Sequence, residues 1–491
     1  MFSEVFLLSL IICCVAGAER KVTVSTSQGL LSGKAETVQG KAVEAYLGIP
    51  YAQPPIGNLR FRKPVPLKSW NGTYDGSRPK HACIQTRFKV IFNVPTDLSE
   101  DCLYLNVWTP GRDEPLKPVL VWIHGGAFKF GSSHERWYDG SAMAALNDVV
   151  FVSMEYRLGI FGFLDYDDNA APGNMGLWDQ HLALKWVKQN IRNFGGDPGL
   201  VTVFGESAGS YSVHGHMLSP HSKGLFKRAF MLSGTFSTNM VLDSVSESIE
   251  KGNRVAQLLG CGASVKNPTK KSTEALECLR TKEADALHRA SEEATGTKIV
   301  SFQPTFKNEF LPKLPSLAGA GKRYEPLDAL ISVTADEGAF AAVFQPDQRW
   351  LVEELTDFDD DTFKKSAGVI ADAWSTARVT PHGRVYVEKA AARGKKAARK
   401  AVIEFIGDVY FRCPTIAFCE QHSKAGGKVY PFVFGYRSDK YEFPKFFGVP
   451  HTSDVPYYTG TPFLDPENFT DKDRDVSRKA MELLVSFAKT G

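Results

Sequence analysis

The sequence carries almost no net charge, although charged residues make up 23% of it. Its 58 Lys and Arg residues are nearly balanced by 55 Asp and Glu residues, which leaves a formal net charge of +3 at neutral pH. Proteins that bind nucleic acids concentrate positive charge on one face. The densest basic run, residues 393–400, alternates cations with alanines and predicts a solvated helix face. We therefore expect no nucleic-acid partner.

Long apolar runs are missing after the first twenty residues, so the sequence predicts no membrane span. The run Val5–Val15 is too short to cross a bilayer and is followed by small residues up to Ala18. This arrangement is typical of a secretory signal peptide, although Glu4 stands where cationic residues usually precede such a run. We predict a signal peptide over residues 1–18, one catalytic domain over residues 19–491, and a secreted, extracellular product.

Clusters of His, Cys, Asp or Glu at metal-ligand spacing are missing as well, so no metal or other cofactor is expected. Two of the eight cysteines fall in the predicted signal peptide, which leaves six in an oxidising compartment. By spacing, Cys83 with Cys102 and Cys261 with Cys278 would each close a short loop, but this leaves the connectivity open.

Two further features follow from export. Cys413 and Cys419 lie six residues apart in a predicted helix and would point to different faces, so we expect no bond between them. One of them would then need a partner beyond Gly491.

Asn71 and Asn468 each begin an Asn-x-Thr glycosylation pattern, and the turn-rich surroundings of Asn71 favour it.

From about Pro118 onward, short β-branched runs alternate with longer stretches of helical periodicity. Runs that are apolar at nearly every position are typical of a mostly parallel sheet covered by helices on both faces, which is an α/β fold. The predicted parallel strands are Val119–Ile123, Val149–Ser153, Val201–Phe204, Ala229–Leu232, Ala329–Val333 and Val429–Phe434. Upstream, Val22–Val24 and Leu103–Trp108 predict antiparallel edge strands.

Helical spacing predicts a crossover helix between Leu177 and Ile191. The polar, helix-rich stretches Phe236–Tyr324 and Phe340–Gly426 interrupt the rhythm of strands. We expect them to form helical excursions over the sheet, where substrate pockets usually form.

The predicted strand Val201–Phe204 runs directly into a G-x-S-x-G pentapeptide, Gly205 to Gly209, and then into a helix-compatible segment. In α/β-hydrolases this order forms the nucleophile elbow. A serine on so tight a turn is held at a strained backbone conformation, and the flanking glycines let neighbouring backbone pass close by. Ser207 is therefore the predicted nucleophile, with an ordinary glycine-rich turn as the alternative.

A nucleophilic serine needs a base and an orienting acid, which this fold supplies in the order serine, acid, histidine. Glu337 follows the fifth predicted strand, and Asp336 beside it is a rival acid. His451 lies in a loop after the last predicted strand. Residue type alone would not distinguish it from His382 or His422, but chain order favours His451.

The oxyanion of the tetrahedral intermediate needs hydrogen-bond donors. The strand Val119–Ile123 ends in His124-Gly125-Gly126-Ala127-Phe128, which matches the HGGG-type loop of lipases and esterases. A plain turn at the end of a strand is the alternative. A further donor is the N–H of Ala208, the residue after Ser207.

These motifs together resemble the carboxylesterase type-B, or cholinesterase-like, family, and most closely its invertebrate carboxylesterases. The resemblance covers nearly the whole chain and is carried by Tyr46–Ala52, Arg60-Phe61, Glu100–Asn106, Asn174–Gln180, Phe204–Gly209 and Gly448–Asp454. It implies an α/β-hydrolase fold and hydrolysis of a small-molecule ester through an acyl-enzyme. It also implies three sets of residues: the triad Ser207, Glu337 and His451; the oxyanion donors Gly126, Ala127 and Ala208; and the disulfides Cys83–Cys102 and Cys261–Cys278.

Departures from the family pattern bear on the substrate. Acetylcholine-hydrolysing members carry a tryptophan in the first disulfide loop that binds the quaternary ammonium by a cation–π contact. No tryptophan lies between Cys83 and Cys102, and Arg87 and Lys89 would repel a cation. The sequence therefore disfavours a cholinesterase proper.

Other departures point in several directions. Ala127 in place of a third glycine and Asp454 in place of glutamate resemble juvenile-hormone esterases, although that class more often has glutamine at the position of Glu206. Family members also continue beyond Gly491.

The alternative function is a catalytically silent adhesion or ligand-sequestering protein, as neuroligin-like members are. Those members lack the nucleophile, which is present here as Ser207.

Overall fold

The structure is a computed structural model that describes residues 20–86, 97–238, 241–262, 273–296, 301–318, 326–342, 393–441 and 443–491. The predicted signal peptide, Arg87, Lys89 and His382 lie outside these ranges, as does much of the second predicted excursion.

The strands are, in chain order, β1 Arg20–Thr26, β2 Gly29–Val38, β3 Lys41–Pro50, β4 Thr73–Asp75, β5 Ala82–Cys83, β6 Leu98–Ser99, β7 Tyr104–Thr109, β8 Lys117–Ile123, β9 Val150–Met154, β10 Asp165–Asp168, β11 Ala171–Pro172, β12 Gly196–Glu206, β13 Arg228–Leu232, β14 Asp328–Thr334 and β15 Val429–Phe434. Within the described residues, a central sheet of 11 strands has the order β1-β2-β3-β7-β9-β8-β12-β13-β14-β15, with β4 paired to β2. The remaining strands form two small two-stranded sheets, β5 with β6 and β10 with β11.

The half of the sheet from β9 to β15 is parallel, as the sequence predicts. Its register places Gly205 beside Ile123 and Glu206 beside Leu232, and Leu232 in turn beside Ser332. Because parallel strands end at the same edge of a sheet, the loops after β8, β12, β13, β14 and β15 emerge side by side.

The antiparallel half confirms one strand prediction and corrects another. β1 is an edge strand and pairs antiparallel with β2, as predicted. β7 is antiparallel to both its neighbours, but the prediction that it is an edge strand was wrong, because it lies between β3 and β9. Its residues Leu105–Thr109 are buried, as expected for an interior strand.

The helices are α1 Ser141–Asn147, α2 Gly159–Phe163, α3 Met175–Asn190, α4 Ala208–Leu218, α5 Val245–Leu258, α6 Thr273–Arg280, α7 Ala284–Thr295, α8 Pro315–Ala318, α9 Lys395–Gly407, α10 Cys413–Lys424, α11 Val455–Thr459 and α12 Asp471–Thr490. A π-helical segment, Asp408–Arg412, joins α9 to α10, and short 3₁₀ helices lie at Gly57–Leu59, Arg136–Tyr138, Ile191–Phe194, Glu337–Ala342, Lys445–Phe447 and Thr461–Phe463. The predicted crossover helix is α3. Within the described ranges, no helix combines the length with the apolarity that a membrane crossing needs.

Helices cover both faces of the sheet, and each face has its own apolar core. Successive side chains of a strand point to opposite faces. In β8, Val119, Val121 and Ile123 accordingly pack in one core, and Leu120 and Trp122 pack in the other. This accounts for a strand that is apolar at nearly every position.

Both predicted disulfides, Cys83–Cys102 and Cys261–Cys278, are present. Cys413 and Cys419 lie on α10 and form no disulfide within the described part of the chain.

Candidate active site

Ser207 occupies the turn between β12 and α4, with φ 53° and ψ −120°. Its N–H donates to the Leu232 carbonyl oxygen at 2.9 Å, which ties the turn to the neighbouring strand. A Cβ on Gly205 would lie 2.6 Å from the Ile123 carbonyl oxygen, and one on Gly209 would lie 1.9 Å from it. Only glycine fits at these two positions, as the pentapeptide predicts. Ser207 is partly exposed between buried neighbours.

The loop after β8 lies against this turn. A Cβ on Gly125 would lie 3.2 Å from the Cβ of Ser207 and 2.6 Å from the Oε2 of Glu206. The loop then turns sharply, with φ 109° at Gly126, 55° at Ala127 and 58° at Phe128. These positive φ values bend the loop so that its backbone passes beside Ser207.

Two of the three sequence-predicted oxyanion donors belong to this loop. Within the described residues, the N–H groups of Gly126 and Ala127 donate to no backbone or side-chain acceptor. The third, that of Ala208, belongs to the first residue of α4, where backbone N–H groups have no partner inside the helix. All three are therefore free to bind an external oxygen.

Glu337 and His451 are brought together from loops that follow β14 and β15. The Oε2 of Glu337 lies 2.7 Å from Nδ1 of His451. Its Oε1 accepts hydrogen bonds from Ser233 Oγ at 2.5 Å and from the Thr334 N–H at 2.7 Å. These bonds fix the carboxylate, which is fully buried.

The rival acid Asp336 has a different contact. Its Oδ2 accepts a hydrogen bond from the Val449 N–H at 2.9 Å, and its own N–H donates to the Val449 carbonyl oxygen at 2.9 Å. Asp336 thereby holds the start of the loop that carries His451. The alternative base His422 is buried and lies 2.7 Å from the Leu327 carbonyl oxygen through Nε2.

The ring of His451 is buried and packs against two phenylalanines that also contact each other, Phe340 and Phe411, whose centroids lie 4.9 Å and 4.5 Å away. Its Nε2 lies 3.0 Å from Oε1 of Glu206. That oxygen accepts no aligned hydrogen bond from the described residues, so the two atoms are close without being hydrogen-bonded. Among the described contacts, none joins Nε2 to the Ser207 hydroxyl.

Burial and neighbouring charges shift three pKa values here. Burial raises the pKa of Glu206 to about 8 and that of Asp454 to about 7, the latter with help from the Glu337 charge. Burial alone would lower the pKa of His451, but Glu206, Glu337 and Asp454 outweigh it and raise that pKa to about 9. A protonated Glu206 holds the His451 proton less strongly. The groups therefore titrate as one unit.

Sequence reasoning missed several residues of this site. It did not assign Ser233, Phe340, Phe411 or the contact of Glu206 with His451. Glu206 lies inside the pentapeptide and could have been found there, whereas Phe411 comes from the distant π-helical segment. Among the described residues, no group of three or more His, Cys, Asp or Glu side chains is placed to hold a metal ion.

Comparisons with known proteins place the chain in a family. A family model described as "Carboxylesterase family" matches residues 20–491. The chain is 34% identical to an acetylcholinesterase of Leptinotarsa decemlineata over 506 residues, which is 96% of this chain and 79% of that protein. It is 34% identical to an acetylcholinesterase of Bungarus fasciatus and 33% identical to a cholinesterase of Mus musculus, in each case over 99% of this chain and 82% of the relative. Membership of this family supports the assignment of the chain as an ester hydrolase with the α/β-hydrolase fold. The chain therefore belongs to the carboxylesterase family.

Proposed function

We propose that the protein hydrolyses carboxylic esters of small molecules through an acyl-enzyme formed on Ser207. The observation that carries this proposal is the buried pair of His451 and Glu337, joined at 2.7 Å, at the same sheet edge as the strained and partly exposed Ser207. An imidazole oriented by a carboxylate beside an elbow serine is the arrangement that activates a hydroxyl for acyl transfer.

In the proposed mechanism, Ser207 Oγ attacks the ester carbonyl carbon while His451 Nε2 takes the hydroxyl proton. The resulting oxyanion is bound by the N–H groups of Gly126, Ala127 and Ala208. The C–O bond to the alcohol then breaks as His451 returns its proton to the leaving oxygen. Water repeats both steps on the acyl-enzyme and releases the acid and free Ser207.

Glu337 orients the imidazole throughout and stabilises its charged form. His451 must turn its Nε2 from Glu206 toward Ser207, with the bond between Nδ1 and Glu337 as the pivot. Burial favours a neutral Glu206 at neutral pH, which loosens its hold on Nε2. We propose that this exchange precedes attack.

The test is hydrolysis of short aryl esters by the purified protein and by Ser207→Ala. Removing the nucleophile is expected to lower kcat by at least ~10⁴-fold. Ser486→Ala, at an exposed position of α12, is the matched control and should keep full activity. Equal rates for Ser207→Ala and the unmodified protein would contradict the proposal.

The alternative, a silent binding protein, draws on one observation: Nε2 of His451 lies on Glu206. Labelling with an organophosphate separates the two functions, because only an activated serine forms the covalent adduct. A stoichiometric adduct on Ser207 supports the enzyme, and an unlabelled protein that binds ligands supports sequestration.

We further propose that the substrate is an uncharged ester. The first disulfide loop carries Arg87 and Lys89, which would repel a cation, and it lacks the tryptophan that binds a quaternary ammonium best by a cation–π contact. Hydrolysis of a choline ester should be slower than hydrolysis of the 3,3-dimethylbutyl ester of the same acid, in which an uncharged carbon replaces the ammonium nitrogen. Faster turnover of the choline ester would contradict this assignment.

Export is also proposed, with cleavage after residue 18 and one catalytic domain over 19–491. The two disulfides fit an oxidising compartment. Asn71 and Asn468 are both exposed and lie in turns or bends, so either is accessible for glycosylation. N-terminal sequencing of the product released by cells, with peptide mapping of its glycans, tests all of these assignments.

A further inference from the structure

The direction of each proposed oxyanion donor is set by the far side of its own peptide group. In a planar trans peptide, the N–H points away from the carbonyl of the preceding residue. Whatever holds that carbonyl oxygen therefore aims the N–H. The carbonyls to consider are those of Gly125, Gly126 and Ser207, which precede the three donors.

Two of these carbonyls are held by backbone groups. The Gly126 oxygen accepts hydrogen bonds from the N–H groups of Lys129 at 2.9 Å and Phe130 at 3.0 Å. The Ser207 oxygen accepts one from the Tyr211 N–H at 2.9 Å, in the first turn of α4. The chain fold alone therefore fixes the N–H groups of Ala127 and Ala208.

The third carbonyl is held by a side chain. The Gly125 oxygen lies 2.8 Å from Nδ1 of His124. A carbonyl oxygen can only accept, so Nδ1 must carry the proton. Gly131 closes over this bond, because a Cβ there would lie 2.4 Å from the Gly125 oxygen and 2.7 Å from Nδ1 of His124.

The His124 ring is itself fixed in place. It is fully buried and stacks on Tyr156, with ring centroids 4.4 Å apart and planes at 22°. The Tyr156 hydroxyl donates to the His124 carbonyl oxygen at 2.8 Å. Burial lowers the pKa of His124, although the Glu155 charge opposes this, so the ring is neutral at neutral pH. Its Nε2 has no hydrogen-bond partner among the described residues.

We infer that His124 is a positioning residue for ester hydrolysis: its Nδ1–H fixes the Gly125–Gly126 peptide so that the Gly126 N–H faces the oxyanion. The inference rests on the proposed function. It adds one required side chain to the oxyanion-binding part of the site, whose donors are all backbone N–H groups. His124 does not touch the substrate. Its loss should weaken binding of the transition state and leave binding of the ground-state ester nearly unchanged.

The test compares substitutions that keep or remove a donor at the position of Nδ1. The amide nitrogen of asparagine can occupy that position, whereas that of glutamine reaches only the position of Nε2. We expect His124→Asn to keep kcat within a few-fold. Both His124→Gln and His124→Leu should lower kcat by ~10²-fold, the order of magnitude for a lost oxyanion donor, with KM little changed. Affinity for a trifluoromethyl ketone, which forms a tetrahedral adduct, should fall by the same factor.

His422→Leu is the matched control, because it also removes a buried histidine that lies within hydrogen-bond distance of a backbone carbonyl. It should lower the Tm without this loss of kcat. Wild-type kcat in a folded His124→Gln, or an equal loss in a folded His124→Asn, would overturn the inference. If His124→Leu fails to fold, the Asn and Gln pair still decides. Ester hydrolysis that survives in Ser207→Ala would instead overturn the proposed function, whichever way the His124 variants behave.

Discussion

The two sides of the proposed nucleophile are built differently. On one side lies the oxyanion wall, residues 124–131, whose donors are backbone N–H groups aimed by hydrogen bonds. On the other lies the base wall, formed by the buried ionisable side chains of His451, Glu337, Glu206 and Asp454. The backbone N–H groups of the oxyanion wall do not titrate, whereas the state of the base wall depends on where its protons sit. Changes to the first should alter kcat, and changes to the second should also alter its pH dependence.

The largest expected effect comes from removing the base. His451→Gln cannot accept the proton of Ser207, so kcat should fall by at least ~10⁴-fold, and the fall should persist at every pH. Initial rates with an aryl ester measure it, with thermal unfolding as the check on folding. Retention of more than a tenth of the activity would place the base elsewhere.

Replacing the orienting carboxylate should have the next largest effect. Glu337→Gln places an amide opposite Nδ1 of His451 and disfavours the productive tautomer, so kcat should fall ~10³- to 10⁴-fold. Asp336→Asn is the matched control. It loosens only the contact with Val449 and should lower the Tm more than kcat. The reverse pattern would make Asp336 the acid.

A smaller loss is expected on the oxyanion wall. A Cβ on Gly126 would lie 1.9 Å from the Phe130 carbonyl oxygen, at φ 109°. Gly126→Ala should therefore displace the peptide and lower kcat by ~10²- to 10³-fold, without moving the pH profile. Gly40→Ala controls for backbone strain, since Gly40 also has a positive φ but open space around it. A shifted pH profile in Gly126→Ala would show that the two walls are not independent.

The smallest effect should appear as a shift along the pH axis. Only the unprotonated form of His451 can act as the base, so activity is lost as pH falls through its pKa. Glu206 raises that pKa, so Glu206→Gln should lower it and move the acid limb of kcat/KM to lower pH. Asp454→Asn should move the limb in the same direction by less, because Asp454 contributes less. An acid limb that moves to higher pH in Glu206→Gln would contradict this account of the base wall.

The same contrast explains what could be predicted from sequence. The elbow at Ser207 and the loop at Gly126 were found because steric needs at a tight turn act between neighbours in the chain. The parallel strands were found because burial on both faces makes them apolar throughout. The interior position of β7 was missed because β3, which mixes the charged Lys41 and Glu44 with Gly48 and Pro50, was not predicted as a strand.

The base wall could be predicted only as far as chain order reaches. The order of the strands places Glu337 and His451 in neighbouring loops. The sequence around each residue does not show that Nε2 of His451 contacts Glu206 or that Phe411 packs against the ring. The hydrogen bond from His124 to the Gly125 oxygen likewise depends on the stacking of the ring on Tyr156. Such contacts arise between segments far apart in the chain, and their protonation states follow from burial.

Mass spectrometry of the protein quenched during turnover of a slowly deacylated aryl ester decides whether hydrolysis passes through an acyl-enzyme on Ser207. We expect one acyl group per chain, mapped by peptide digestion to Ser207; this group should be absent in Ser207→Ala and hardly formed in His451→Gln. Ester hydrolysis with no acyl group on Ser207, or with the acyl group on another residue, would contradict it.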